Sequence, residues 1–230
     1  MKEFLTDSVY FGVIISLTGY ILGVKIKQRF KCGLFNPLLI SILFVMAALL
    51  LLHVDYESYN TSAKFLSYLL TPATVCLAIP LYQQLELLKK NLKAVVLGIL
   101  AGMMSSLGSV LALSYIFSLN HVQYVTLLPK SITTAIGMGV SDELGGIATI
   151  TVAVIIITGV LGNITAEVIC KIFKIHEPIA VGLAIGTSAH AIGTAKALEI
   201  GEIEGAMSSL SIAVSGLLTV IGASVFADFL

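Results

Sequence analysis

Long apolar segments alternate with short polar ones along the chain. Six stretches contain no Asp, Glu, Lys or Arg, and each is close to or above the roughly 20 residues that a helix needs to cross a bilayer. An apolar run near the N-terminus, Val9–Val24, is a further candidate. The pattern predicts a polytopic bundle of about seven or eight transmembrane segments. The charge-free stretches are Cys32–Val54, Phe65–Leu85, Ala94–Pro129, Leu144–Ala166, Ile179–Ala195 and Gly205–Ala227.

The composition agrees with this interpretation. The chain is 57% hydrophobic and 11% charged, and its mean hydropathy is +1.02, whereas a soluble domain carries about 25% charged residues. We therefore expect an all-α, multi-pass protein of the bacterial cell (inner) membrane, with residues 1–230 forming one integral membrane domain. The 13 basic and 13 acidic residues balance, which gives no indication of a nucleic-acid partner. The cysteines, widely spaced and without a CxxC motif, predict packing residues, and we expect neither metal nor cofactor.

The basic residues predict the orientation, because positive residues in short loops mark the cytoplasmic side. Three basic groups, around Lys25–Lys31, Lys89–Lys93 and Lys171–Lys174, place the N-terminus outside and the C-terminus in the cytoplasm. Residues 120–146 then begin and end outside, either as a re-entrant loop or as a crossing paired with one that hydropathy misses. The predicted spans are residues 7–24, 37–53, 62–88, 93–119, 147–170, 178–199 and 206–229.

Two of these spans are interrupted at matching places. Pro72 and Pro80 lie within the third span, and Gly186 and Gly193 within the sixth. Spans two to four and five to seven run in opposite directions, which predicts an inverted repeat with halves of about residues 1–119 and 120–230. Non-helical backbone survives at membrane depth only where protein or a water-filled cavity satisfies it. Broken helices at corresponding positions of inverted halves are typical of transporters.

The segment LLPKSITTAIGMGVSDELGG, residues 127–146, predicts an anion site. Pro129 suits the first turn of a helix, and free N–H groups at a helix N-terminus attract anions. Lys130 would add a positive charge, so a small carboxylate is the expected ligand. The alternative is that Lys130 reaches towards lipid headgroups from a loop. The substrate-binding candidates here are Lys130, Ser131, Thr133 and Thr134.

The segment AIGTSAHAIGTAKALEIGE, residues 184–202, predicts the other part of the site. His190 is an ionisable residue inside an apolar span, which indicates a functional role, so it is a candidate for binding substrate or carrying a coupled proton. A hydrogen-bonded packing histidine is the alternative. Lys196 and Glu199 are expected to pair with each other. The further substrate-binding candidates are Thr187, Ser188 and Thr194, with Thr71 and Thr74 facing them from the third span.

An enzyme is the competing class, and the sequence argues against it. No G-x-S-x-G, H-E-x-x-H or metal-spaced cluster occurs, and the 4 histidines are widely separated. Ser188 and His190 are two residues apart and would point to different faces of a helix. We expect a protein without catalytic residues.

The same motifs resemble those of the LrgB/CidB family of bacterial membrane proteins. The resemblance rests on LLPKSITTAIGMGVSDELGGIATITVAVIIITGVLGN and AIGTSAHAIGTAKALEIGEIEGAMSSL, and it extends from about Leu69 to the C-terminus. It implies a carrier of small organic acids such as pyruvate or glycolate, working with a small LrgA/CidA-type membrane partner. The alternative that it implies is an antiholin-like regulator of murein hydrolase activity, export and autolysis without transport of its own. By analogy with other carriers we expect a homodimer.

Overall fold

The computed structural model describes residue 8, residues 10–30 and residues 35–230, without the side chains of Leu70, Thr71 and Thr74. This part of the chain is helical and contains no strand. Its helices, in chain order, are α1 (Phe11–Phe30), α2 (Pro37–Leu52), α3 (Tyr56–Ser67), α4 (Leu70–Cys76), α5 (Ala78–Gln83), α6 (Leu85–Lys90), α7 (Leu92–Ile116), α8 (His121–Leu127), α9 (Thr134–Glu143), α10 (Ala148–Ile172), α11 (Pro178–Ile200) and α12 (Glu202–Ala227).

The predicted all-α membrane architecture is confirmed. Four described helices, α7, α10, α11 and α12, are long and apolar enough to cross a membrane, and α2 is a shorter apolar helix of 16 residues. The boundaries of α2, α7, α10 and α12 lie within a few residues of the predicted spans. Helix α2 begins where it does because Asn36 accepts hydrogen bonds from the first backbone N–H groups and Pro37 occupies the first helical position.

The chain forms two compact units, Met1–Cys76 and Leu77–Leu230. In the first unit, α1 packs against α2 and α3 through small residues. A side chain on Gly19 would meet Phe44, and one on Gly23 would meet the backbone of Pro37. Glycines four residues apart let helix backbones approach closely, so this pair has a packing role.

The third predicted span is divided into short helices. Residues 62–88 fall in α3, α4, α5 and α6, with interruptions at residues 68–69, 77 and 84. Pro72 and Pro80 each occupy the third position of a helix, in the first turn, where a missing N–H removes no intrahelical hydrogen bond. This segment is discontinuous, but its interruptions lie before Pro72 and Pro80 and not at these residues.

In the second unit, α7 and α12 run side by side in the same direction. Near their starts, Ile99 belongs to the same buried apolar cluster as Met207. Near their ends, the Tyr115 hydroxyl donates to the Phe229 carbonyl oxygen at 2.5 Å. The two helices thus provide a parallel frame for the elements between them.

Helix α11 is not a single straight rod, because it folds back on itself at His190. The backbone there is non-helical, with φ 40° and ψ −140°. A side chain on Gly193 would lie 3.2 Å from the Ile185 carbonyl oxygen, whereas eight residues of straight helix separate two positions by about 12 Å. We call residues 178–200 hairpin 2, with an outgoing leg (178–189) and a returning leg (191–200).

Contacts with neighbouring helices confirm the reversal. Gly182, near the start of hairpin 2, approaches the backbone of Glu204, and Leu198, near its end, approaches Gly205. Sixteen residues of straight helix would hold these two positions about 24 Å apart. Both ends of hairpin 2 therefore lie at the start of α12.

The prediction that residues 178–199 cross the membrane is therefore wrong. The segment has the length and apolarity of a crossing, which is why hydropathy alone suggests one. Its legs pack closely because the facing residues are small: a side chain on Gly193 would also meet the Cβ of Ala189 at 2.5 Å. The break lies at His190, between Gly186 and Gly193, and not at either glycine.

Residues 121–143 form a second reversal, which we call hairpin 1. The Thr126 hydroxyl accepts from the Ile147 N–H at 2.9 Å, the Thr151 hydroxyl donates to the Thr126 carbonyl, and the Thr151 and Ser141 hydroxyls share a hydrogen bond. The outgoing helix α8 and the returning helix α9 thus meet at the start of α10. With 7 and 10 residues, α8 and α9 would each span only about 10–15 Å. Of the two predicted alternatives for this segment, the structure favours the re-entrant loop.

A hairpin followed by a long helix occurs twice. Hairpin 1 precedes α10, and hairpin 2 precedes α12. Cys170, near the end of α10, belongs to the same buried cluster as Val181 and Ala197, so the end of α10 lies where hairpin 2 and α12 begin. Hairpin 1 lies at the opposite end, where Tyr124 donates to the Phe226 carbonyl near the end of α12. These two segments are inverted relative to each other. The predicted repeat of residues 1–119 and 120–230 relates other segments and stays a prediction.

The packing of hairpin 2 on α12 makes a stability prediction. A Cβ on Gly186 would lie 2.5 Å from the Ser208 carbonyl oxygen, and overpacking of this kind costs about 1–3 kcal/mol. Gly186→Ala should lower the thermal unfolding midpoint of the detergent-solubilised protein. The matched control is Gly108→Ala in α7, where no atom lies within 4 Å, and the midpoint should stay or rise. Equal midpoints for the two variants would contradict the packing described here.

Candidate functional site

The tip of hairpin 1 carries a lysine surrounded by hydroxyl groups. The Lys130 ammonium donates to Ser131 at 3.0 Å and to Ser106 of α7 at 3.3 Å. The Ser106 hydroxyl in turn donates to Ser131 at 2.9 Å. Pro129 and Ser131 are buried and Lys130 is half-buried, so the three polar side chains form a compact cluster.

This cluster lies deep in the second unit. Ser106 stands 14 residues after the first residue of α7 and 10 before the last, which corresponds to about 21 Å and 15 Å along the helix axis. The hydrocarbon core of a bilayer is about 30 Å thick. A helix of this length that crosses the bilayer therefore carries Ser106 near the membrane midplane.

The electrostatics around Lys130 favour an anion. Within the described ranges, no carboxylate lies within ion-pair distance of its ammonium group. Helix α9 begins four residues later, and its N-cap residue Thr133 makes no side-chain capping hydrogen bond. The N–H groups of Thr134, Ala135 and Ile136 belong to the first turn and have no intrahelical acceptor, and the Thr133 side chain caps none of them. A lysine charge and a free helix N-terminus together can hold a carboxylate.

The tip of hairpin 2 reaches the same region from the other end. The Nε2 atom of His190 lies 3.0 Å from the Ile155 carbonyl oxygen, and because a carbonyl only accepts, Nε2 carries the hydrogen. The Ile155 side chain touches the position of Gly137 in α9. One residue of α10 thus contacts both hairpins, so their tips approach each other in the first third of that helix.

The other predicted side chains of hairpin 2 do not converge. Thr187 is buried and donates to the Leu183 carbonyl at 2.8 Å, while Ser188 is exposed and donates to the Ala184 carbonyl at 2.6 Å. Thr194 is buried and bonds to the His190 carbonyl and to the Ser208 hydroxyl of α12. Thr187 does lie against Gly102, one helical turn from Ser106. The side chains of Thr71 and Thr74 lie outside the described residues.

The structure adds residues that sequence reasoning did not identify. Ser106 completes the Lys130 cluster, and the sequence signal was its position four residues after Gly102 on one face of an otherwise apolar helix. Ser215 of α12 is buried and its hydroxyl has no hydrogen-bond partner. Its neighbour Gly216 faces the first turn of α9, since a Cβ there would lie 3.1 Å from Ile136.

Comparisons with known proteins identify the family of the chain. The model of the LrgB-like family matches residues 16–229. The chain belongs to the LrgB-like family. It is 35% identical over 226 residues to the antiholin-like proteins LrgB of Bacillus mycoides (strain KBAB4) and Bacillus cereus (strain B4264), and the match covers 98% of each chain. No solved structure matches.

The family resemblance and the membrane assignment drawn from the sequence are therefore confirmed. This is an LrgB-type membrane protein, and the name of its relatives denotes no enzymatic activity.

Proposed function

We propose that this LrgB-like protein carries small monocarboxylates such as pyruvate or glycolate across the bacterial cell membrane. The observation that supports the proposal is Lys130, a cation beside a free helix N-terminus at the depth of Ser106. An uncompensated charge at membrane depth is costly. Binding of an anion would lower this cost. The site also lies between two re-entrant hairpins, an arrangement that is typical of carriers.

The arrangement suggests how a small carboxylate would be held. Lys130 and the first N–H groups of α9 would bind the carboxylate oxygens, and the hydroxyls of Ser131, Thr133 and Thr134 would add hydrogen bonds. Pyruvate and glycolate have a second polar group beside the carboxylate. Ser215 is a candidate to meet it, because its buried hydroxyl has no partner and it lies next to Gly216, which faces α9.

Hairpin 2 changes the expected orientation of the C-terminus. Lys93, near the start of α7, and Lys171, near the end of α10, lie at the end of the second unit where hairpin 2 begins and ends, since these helix ends share buried clusters with both legs of the hairpin and with α12. The positive-inside rule places this end in the cytoplasm. Because α12 starts there and runs away from it, we now assign the C-terminus to the outside. The N-terminus keeps its predicted outside position.

The role of His190 is better explained as positioning than as proton transfer. Its ring is buried and donates to a backbone carbonyl, so it anchors the tip of hairpin 2 to α10. Coupling to a proton gradient and an LrgA/CidA-type partner are parts of the proposal that the transport assay below addresses. A homodimer is a further part of the proposal.

The decisive assay is uptake of labelled pyruvate and glycolate into proteoliposomes. The protein should be reconstituted alone and with an LrgA/CidA-type partner, with and without an imposed pH gradient. We expect saturable uptake that the other monocarboxylate inhibits and that a small neutral alcohol does not inhibit. Faster uptake with the gradient would support proton coupling, and uptake only with the partner would support an obligatory complex.

The alternative function has support from the relatives, which are named antiholin-like. A regulator of murein hydrolases without transport of its own would give no saturable uptake under any of these conditions. That result, obtained with protein that is monodisperse in detergent, would contradict the carrier proposal.

A further inference from the structure

An ion pair connects the returning leg of hairpin 2 to α10. The Lys196 ammonium lies 2.5 Å from the Glu167 carboxylate of α10 and 3.4 Å from the carboxylate of Glu199 on its own leg. The Lys196 side chain is only 19% exposed. The predicted pairing with Glu199 is present, but the shorter contact connects two different elements.

Two further polar contacts join this leg to its neighbours. Asn163 of α10 donates to the Ile192 carbonyl at 2.8 Å, and Thr194 bonds to Ser208 of α12. The face turned towards the outgoing leg consists of small residues, Gly193 and Ala197. Small side chains bury little apolar area, so the hydrophobic contribution to holding the leg is modest. The leg therefore depends on its polar contacts more than a Leu-rich helix would.

The returning leg also covers buried groups between the tip and the Lys171 end of α10. Ala197 is fully buried and belongs to one cluster with Cys170 of α10 and with Val181 and Ile185 of the outgoing leg. Displacement of the leg would expose this cluster and open a path towards His190 and Ile155. Among the described residues, no ion pair joins hairpin 1 to α10.

We infer that the returning leg of hairpin 2 is the cytoplasmic gate of the carrier site, and that Lys196 and Glu167 are positioning residues that hold it closed. The gate rests on the proposed transport function. The two carboxylates that contact Lys196 differ in their position. Glu167 belongs to α10, so its contact connects the gate to a neighbouring helix. Glu199 belongs to the gate itself and moves with it.

Native Cys170 is a reporter of gate opening. After replacement of Cys32 and Cys76 by alanine, the reaction of Cys170 with a maleimide in detergent measures how often the covering leg is displaced. Loss of a hydrogen-bonded ion pair that opposes opening should accelerate the reaction about tenfold, the factor that corresponds to 1.4 kcal/mol. We expect this acceleration in Glu167→Gln and in Lys196→Gln, and in the double variant no acceleration beyond that of either single one.

Glu199→Gln is the matched control, since it removes a carboxylate from the same lysine without cutting the connection to α10. It should react at the rate of the parent. Equal rates in Glu167→Gln and Glu199→Gln, or additive acceleration in the double variant, would overturn the inference. Labelling needs no substrate, so a failure of the uptake assay would remove the proposed function and leave the gate measurement interpretable.

Discussion

Replacement of Lys130 by alanine should raise the KM for saturable uptake of pyruvate and glycolate steeply. The variant removes the cation from the cluster with Ser106 and Ser131, and a hydrogen bond to a charged group contributes about 1.5–3 kcal/mol. The expected result is a rise of roughly 10- to 100-fold in KM, since each 1.4 kcal/mol is a factor of ten. Concentration dependence of initial uptake rates in proteoliposomes measures it.

Two control variants test whether the rise in KM is specific to the lysine at position 130. Lys93→Ala removes an exposed lysine at the start of α7 and should leave KM unchanged. Lys130→Arg keeps the charge but has a larger, planar head group, so we expect an intermediate KM. If Lys130→Ala and Lys93→Ala transport alike, Lys130 interacts with lipid headgroups or solvent and the site assignment fails.

At position 190, glycine should give a more stable protein than alanine, the reverse of the order expected within a continuous helix. Its φ of 40° lies in a region that glycine adopts easily and that costs other residues about 1–3 kcal/mol. We therefore expect His190→Gly to unfold at a higher temperature than His190→Ala. Both should lie below the parent, because both lose the ring and its hydrogen bond to Ile155.

The control for this comparison is an exposed alanine within α10. Ala153 has regular helical backbone, so Ala153→Gly should lower stability by about 1 kcal/mol, the ordinary preference of helices for alanine. His190→Gln, which can still donate to the Ile155 carbonyl, should retain more uptake than His190→Ala. A more stable alanine than glycine at position 190 would mean that α11 is continuous, and complete loss of uptake in His190→Gln would restore the proton-carrier hypothesis.

Much of the fold follows from the sequence because length and apolarity identify helices well. The ranges of α2, α7, α10 and α12 were predictable within a few residues, since charged groups delimit each one. The reversal of hairpin 2 was not, because a re-entrant pair of legs has the same composition as a single crossing. Its signal was present in the small residues of the legs, but Gly182 and Gly186 serve close packing against α12 and indicate no reversal by themselves.

Some residues of the candidate site are predictable from local sequence, and others depend on tertiary packing. Local sequence predicts Lys130, Ser131 and a helix N-terminus close to them. The predicted position of that N-terminus is wrong, because Pro129 lies in the turn after α8 and α9 begins only at Thr134. The contribution of Ser106 depends on which face of α7 meets hairpin 1, and the Glu167 contact depends on the direction of the returning leg. Both are consequences of tertiary packing. Thr187, Ser188 and Thr194 are close in sequence, yet the turn of the helix directs them to different neighbours.

The central claim is that a small carboxylate binds beside Lys130 and Ser106. Its most direct test is substrate protection of a cysteine introduced as Ser106→Cys in protein whose three native cysteines are replaced by alanine. Ser109→Cys, on an exposed face of α7, serves as the control. We expect pyruvate or glycolate to slow maleimide labelling at position 106 in a saturable manner, to leave position 109 unchanged, and to lose the protection in Lys130→Ala. Equal labelling of Ser106→Cys with and without saturating carboxylate would contradict the claim.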